Sequence, residues 1–271
     1  MNFAEVFTMS FWTLFGLAMA VSSMGFYKFI YFISLGYGFS IALIGVALVV
    51  LFRDVMNPVL FFMCVLLVIY GCRLGGYLAL REWKNTSYRN HMKTVVNDGK
   101  GMPFFVKVCI WVVCAVLYVL EVSPVFFRLQ NGGAVDGVTI IGAVIMACGI
   151  LLESMSDHQK SAAKKINPKR FCDTGLFRIV RCPNYLGEIL FWTGVLVSGI
   201  TTLNGVWQWA AAIAGWVCIV YIMFGGARRL EIRQNRNYGA DPEYQAYVKS
   251  TPIILPFVPL YSVEKYTFLK G

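Results

Sequence analysis

The chain has 271 residues, of which 58% are hydrophobic and only 14% charged, and its mean hydropathy is +0.64. That leaves too little polar surface to clothe a soluble globule. A net charge of +10 is a balance that nucleic-acid binding can produce, but here the basic residues sit in short loops beside apolar runs. They are read as topology signals, and nucleic acid is not an expected partner.

Apolar runs of about 20 residues, the length that crosses a bilayer core, recur near 6–26, 29–52, 58–80, 103–127, 133–155, 186–202 and 205–226. The expected fold is all-α, a polytopic membrane bundle of about seven transmembrane helices forming a single membrane domain over 1–271. Spans one to four occupy 1–130; spans five to seven and a polar tail occupy 131–271. No internal repeat, low-complexity tract or long linker breaks the pattern. The chain opens MNFAEVF, with Glu5 and no Lys or Arg ahead of the apolar run. That is the wrong start for a cleavable signal peptide, so the first span is expected to be retained.

Between spans three and four lie Arg81, Lys84, Arg89, Lys93 and Lys100; between five and six lie Lys160, Lys164, Lys165, Lys169, Arg170, Arg178 and Arg181. Those loops and the basic tail belong on the cytoplasmic side, with the N-terminus outside and the C-terminus inside. Only Arg128 follows span four, no basic residue follows span six, and Arg53 and Asp54 nearly cancel after span two. With no retention or transit signal, a bacterial inner membrane is the expected location.

Ionisable groups inside spans are costly and are functional candidates by default. In span three, Tyr70, Arg73, Tyr77 and Arg81 follow at steps of three and four, which puts them on one helix face, expected to face the bundle interior. An Arg–carboxylate pair that locks helix packing would leave the same trace. In span four, Lys107 and Glu121 lie near opposite ends and are expected to snorkel.

Span five ends LLESMSDHQKSAAKK, where Glu153, Asp157, Lys160 and Lys164 again share a face. Intrahelical ion pairs worth ~0.2 to 0.5 kcal/mol each would explain the row; a set of donors and acceptors for a nucleotide would explain it equally. The strongest local motif is GLFRIVRCPNYLGEILFWTG at 175–194. Arg178 and Arg181 are suited to phosphate oxygens, Pro183 stops regular structure, and Asn184, Tyr185, Gly187 and Glu188 follow at the mouth of span six. Gly187 allows close backbone approach, while helix-start punctuation alone would account for Pro, Asn and Gly. Neither GxGxxG nor GxxxxGK[ST] occurs, so a nucleotide here needs a site that is neither Rossmann nor P-loop.

Span seven runs out into a basic helix, NYGADPEY carries turn signals, and TPIILPFVPLY is too short and too rich in Pro to cross a membrane. It is expected to fold back on the cytoplasmic helix ends. The eight cysteines contain no CxxC pair and read as small core hydrophobes or reduced thiols. His91 and His158 have no ligand-like spacing, so no metal site is expected.

From about 153 to 262, GLF, then PNYLGE, then a basic helix, then YxxYVKSTPIILPF resembles the steroid 5α-reductase superfamily, including its bacterial members of DUF1295 type. The Ser156–Asp157 pair is similar to a Ser-Asp pair of that family, and Tyr70, Arg73 and Tyr77 match its Tyr-x-x-Arg-x-x-x-Tyr pattern. The resemblance is weak before residue 60. It implies NADPH as cofactor, with Glu153, Asp157 and Lys164 facing the adenosine half and Arg178 and Arg181 the phosphates. Asn184 and Glu188 would hold the nicotinamide half, Tyr185 would also bind the cofactor, and Arg228, Arg229 and Tyr238 would close over the cofactor.

Tyr70 takes the place of the family's catalytic tyrosine, whose phenol donates to a steroid 3-oxo group. Hydride addition to an enone builds negative charge on that oxygen, and a pre-aimed donor lowers the barrier; a phenol of pKa about 10 stays protonated at neutral pH. The steroid reductases add a Gln-Glu pair in span two. Here no Gln or Glu occurs between Glu5 and Glu82, and Ser34 and Tyr37 of ISLGYGFSIA occupy that neighbourhood as substrate-side candidates.

The implied protein is a monomeric NADPH-dependent reductase of a conjugated C=C bond in a steroid or isoprenoid-like lipid that enters from the bilayer, with membrane lipids around it. Isoprenylcysteine and phospholipid methyltransferases that use S-adenosylmethionine share the Arg-x-Pro-x-Tyr-x-Gly core met by Arg181, Pro183, Tyr185 and Gly187. A non-catalytic membrane protein that binds a nucleotide or lipid is the third reading.

Overall fold

A computed structural model of the protein describes residues 3–84 and 101–269. Arg89, His91, Lys93 and Lys100, and the side chains of Arg81 and Lys84, lie outside what is described. The described chain is helical, 77% overall, and contains no strand. In lipid each backbone N–H and C=O must be satisfied within its own segment, so apolar runs of this length resolve as helices. After a single turn at Phe3–Val6 they are α1 (Met9–Ser22), α2 (Leu35–Leu51), α3 (Pro58–Lys84), α4 (Phe104–Gln130), α5 (Gly137–Ile166), α6 (Pro183–Gly199), α7 (Gly205–Tyr238) and α8 (Pro242–Ser250).

Among the described residues six segments are long and apolar enough to cross a membrane: Met9–Phe26, Phe29–Leu51, Pro58–Leu80, Phe104–Gln130, Gly137–Ile166 and Gly205–Tyr238. The expected count of about seven included α6. With 17 residues, α6 extends only about 25 Å at 1.5 Å per residue, short of a hydrocarbon core of about 30 Å.

The chain divides into two compact units, Met1–Ala143 with Val195–Gly215, and Val144–Gly194 with Trp216–Gly271. In the first, α2 lies against α3 at backbone contact distance. A Cβ on Gly71 would stand 2.3 Å from the Gly38 carbonyl oxygen, and one on Gly38 would stand 2.7 Å from the Gly75 nitrogen. Where lipid surrounds the helices, small residues four apart are what let two backbones approach, and Gly71 and Gly75 are such a pair. Pro58 opens α3 in the position where its missing N–H costs nothing, and Asn57 Oδ1 accepts from the Val59 and Leu60 amides at 3.1 and 3.0 Å. At the other end of α4, Gly132 and Gly133 reverse the chain with φ of 102° and 68°.

Arg128 sits fully buried in this unit. Its Nε donates to the Ser198 carbonyl at 2.5 Å and its Nη2 to Thr201 Oγ1 at 2.5 Å. Its Nη1 donates to the Ala134 carbonyl, and Asp136 lies 3.7 Å away. The one basic residue after span four is therefore a structural clamp on the neighbouring turns, its charge already met.

In the second unit the tail folds back as its apolar, Pro-rich composition suggests. The Arg181 and Cys182 amides donate to the Pro252 and Ile253 carbonyls at 2.8 and 2.9 Å, and the Ile253 amide donates to Leu260 at 2.9 Å. Ile253, Ile254, Val263 and Leu269 then bury against Cys182, Ile189, Ala227 and Leu230. Asp241 caps α8 by accepting from the Glu243 amide, with Pro242 at the first helical position.

Candidate functional site

The first unit holds a buried tyrosine cluster. The Tyr37 and Tyr70 hydroxyls lie 2.9 Å apart, with Tyr70 fully buried and Tyr37 8% exposed. The backbone contact of Gly38 with Gly71 sets the neighbouring residues Tyr37 and Tyr70 facing each other across α2 and α3. Tyr118 of α4 packs its ring 5.2 Å from that of Tyr37 and donates its hydroxyl to the Phe32 carbonyl. Tyr37, expected on the substrate side, is thus a direct hydrogen-bond partner of Tyr70. Ser34 instead donates to the Ile30 carbonyl at 2.8 Å, a local role at the helix start.

The expectation that the whole α3 row faces inward holds for Tyr70 and fails for Tyr77, which is 38% exposed. Arg73 between them is half-buried. A row at steps of three and four drifts around a helix of 3.6 residues per turn, so its ends need not share an environment. Glu121 is also corrected. Only 3% exposed, it does not snorkel; the α4 backbone beside it is in contact range of Gly215, whose Cβ would stand 2.7 Å from the Glu121 nitrogen.

The second unit gathers most of the other candidates. Gly187 of α6 meets α5, where its Cβ would stand 2.6 Å from Glu153 Cγ and 2.9 Å from the Gly149 oxygen. The close approach read into Gly187 is therefore made to a helix. Glu153 is 3% exposed and Glu188 5%, and Glu188 Oε1 accepts from Trp192 Nε1 at 3.3 Å. Ser156 donates to the Glu153 carbonyl at 2.9 Å, and Asp157 is half-buried. Asn184 keeps its Oδ1 buried without a hydrogen-bond donor. A Cβ on Gly226 would stand 3.4 Å from Tyr185 Cζ.

Two residues expected to meet phosphate or nucleotide are hydrogen-bonded to protein groups. Arg181, with 1% of its side chain exposed, pairs with Glu231 at 2.7 Å and donates to the Tyr261 carbonyl. Glu231 Oε2 in turn accepts the Val263 amide at 2.8 Å. Lys164 donates to the Arg170 carbonyl at 2.6 Å, the Pro168 carbonyl at 3.1 Å and the Tyr238 hydroxyl at 3.0 Å, with its ammonium 5.5 Å from the Tyr238 ring. Arg178 and Arg229 are exposed and Arg228 is half-buried, its Nε on the Glu264 carbonyl at 2.9 Å.

Around this frame the aromatic rings of Phe171, Tyr238, Tyr244 and Tyr247 pack together. Burial pushes the Tyr244 phenol up to about 12 and the Tyr247 phenol upward too, so both stay neutral. Burial likewise pushes the Cys182 thiol up to about 12, which removes the thiolate that nucleophilic chemistry would need. The eight cysteines form no disulfide, and no cluster of metal-ligating side chains occurs among the described residues.

Sequence reasoning missed Glu231 and Gln159. Gln159 accepts from the Leu176 amide at 2.8 Å, and a Cβ on Gly175, at φ 60°, would stand 2.5 Å from Gln159 Oε1. The Gly of GLF was the available signal for a docked turn. Glu231 stood alone among basic residues, itself a hint of a partner.

Apolar helices of this length define a multi-pass membrane protein. A family model described as "Protein of unknown function (DUF1295)" matches residues 9–251, and the chain belongs to the DUF1295 family. No curated protein and no solved structure matches it.

Proposed function

We propose that the protein is an NADPH-dependent membrane reductase that saturates a conjugated C=C bond in a hydrophobic lipid, with a 3-oxo-Δ4 steroid as the leading substrate. The observation that carries this reading is the buried Tyr37–Tyr70 hydroxyl pair. The two hydroxyls can exchange donor and acceptor roles, so a Tyr70 phenol can turn its proton to a substrate carbonyl, and a neutral phenol suits charge that develops only as the bond is reduced. The resemblance to the steroid 5α-reductase superfamily supports the same assignment.

Residues of the second unit fit the cofactor. The buried Asn184 Oδ1 lacks a donor, which suits a carboxamide N–H of a nicotinamide, with Glu188 beside it in sequence. The exposed Arg178 and Arg229 suit phosphates. Lys164 and Arg181, already hydrogen-bonded within the protein, serve as frame. NADPH supplies the hydride when bound. The reading takes the protein as a monomer of the bacterial inner membrane, with its basic loops toward the cytoplasm.

Purified protein should consume NADPH, followed at 340 nm, in step with reduction of an enone from a steroid and isoprenoid panel. Tyr70→Phe should lower kcat by about 100-fold, the scale of losing one oxyanion donor, and Asn184→Ala should raise the KM for NADPH. Methyl transfer from labelled S-adenosylmethionine into lipid, without NADPH oxidation, would replace this reading with the methyltransferase one. That alternative draws on Arg181, Pro183, Tyr185 and Gly187, whose arginine is held by Glu231.

A further inference from the structure

We infer that the C-terminal segment 261–269 is an interfacial anchor that lies in the headgroup–acyl boundary of the bilayer along α7. Residues 205–227 of α7 carry no charge, a stretch of about 34 Å at 1.5 Å per residue, enough for a hydrocarbon core of about 30 Å. Arg228 is the first charge and marks where water and headgroups begin.

Two hydrogen bonds fix the depth of the tail against this scale. Arg228 Nε donates to the Glu264 carbonyl at 2.9 Å, and Asn235 Nδ2 donates to Glu264 Oε2 at 2.6 Å. Four residues later the Phe268 carbonyl accepts from Tyr221 Oη at 2.5 Å. Tyr221 precedes Arg228 by seven residues, about 10 Å of helix. The segment therefore runs antiparallel to α7 and descends from its charged end to a level inside its uncharged stretch.

The chemistry of the segment matches that depth. Leu269 and Val263 are buried against α7, while Phe268 is 64% exposed and Tyr261 39% exposed. Lys265 holds its ammonium 5.2 Å from the Tyr266 ring. An aromatic beside a lysine with a long stem is the composition that sits at a membrane–water boundary, apolar body inward and charge outward. The preceding loop adds to it. Phe257 is 99% exposed at φ 64°, a conformation that bulky residues rarely adopt. It is framed by Pro256 and Pro259, and the Ile253–Leu260 hydrogen bond closes the loop beneath it. Such a rigid display of a bare aromatic ring in water would bring no return; against acyl chains it buries the ring.

The test is photo-crosslinking in a bilayer. Benzoylphenylalanine is placed singly at 257, 268 and, as a control on the exposed face of α8, at 243. Each full-length chain is reconstituted in nanodiscs of phosphatidylethanolamine and phosphatidylglycerol, irradiated and weighed intact. Lipid-mass adducts should form at 268 and 257 at least about 10-fold above those at 243, as an apolar side chain at the acyl boundary requires. Adducts at 268 no more abundant than at 243 would overturn the anchor, as would crosslinks at 268 to a second copy or back into the chain in place of lipid.

Discussion

Among the described residues each unit of the protein buries one arginine, and the two are accommodated by different means. Arg128 in the first unit is met by two carbonyls and a hydroxyl, with the half-open carboxylate of Asp136 at 3.7 Å. Arg181 in the second is met by a fully buried carboxylate, Glu231, and by one carbonyl, both on Nη2. Dipoles that belong to turns cannot be removed by a single substitution, whereas a buried counter-ion can. The first unit should therefore tolerate changes at Asp136, and the second should be exposed to any change at Glu231.

The largest effect is expected at that carboxylate. Glu231→Ala leaves a desolvated guanidinium and should cost about 3 to 5 kcal/mol, read as a lowered denaturation midpoint in detergent. The double substitution Arg181→Met with Glu231→Leu should recover most of it, because well-packed apolar residues can replace a buried pair. A cost of Glu231→Ala below that of Asp136→Ala would break the comparison. Next, Arg128→Met should cost about 3 kcal/mol, since hydrogen bonds from a charged donor contribute ~1.5 to 3 kcal/mol each and the freed carbonyls stay buried. Gly71→Ala should cost about 2 kcal/mol through overpacking, and should pull Tyr37 from Tyr70, visible as a changed tyrosine absorbance.

The smallest effect is expected from acid. The Thr201 hydroxyl first, then the Thr139 amide and hydroxyl and Arg128, hold the Asp136 carboxyl well below its ordinary value. A depressed carboxylate contributes stability that is present above the unfolded value, about 3.9, and lost as pH falls through the folded one. Thermal melts should weaken modestly below about pH 4, and Asp136→Asn should remove that slope.

The positions of the long helices were legible because lipid permits few alternatives to a helix in an uncharged run. Most of the polar candidates were legible as well, since charge inside such a run is conspicuous. Their pairing was not. Arg181 and Glu231 are separated by 50 residues, and an arginine aimed at a phosphate looks the same in sequence as one aimed at a carboxylate. Tyr37 was visible as a substrate-side candidate, but its partnership with Tyr70 depends on Gly38 and Gly71 bringing two backbones together. The Gly71–Gly75 spacing carried that information and names no partner helix. Glu121 was misjudged because closeness to a span end says little about burial once neighbouring turns fold over it.

The Arg181–Glu231 pair also bears on how the protein is made. Arg181 leaves the ribosome 50 residues before its counter-ion, and the Tyr261 carbonyl and Val263 amide that complete the arrangement emerge later still. Through that interval the arginine must remain hydrated, so the loop before α6 cannot seal until α7 and the tail have been delivered. Closure of the second unit is thereby tied to near-complete synthesis, and a nascent chain cut short before Val263 leaves a charged, open segment that quality-control proteases can recognise.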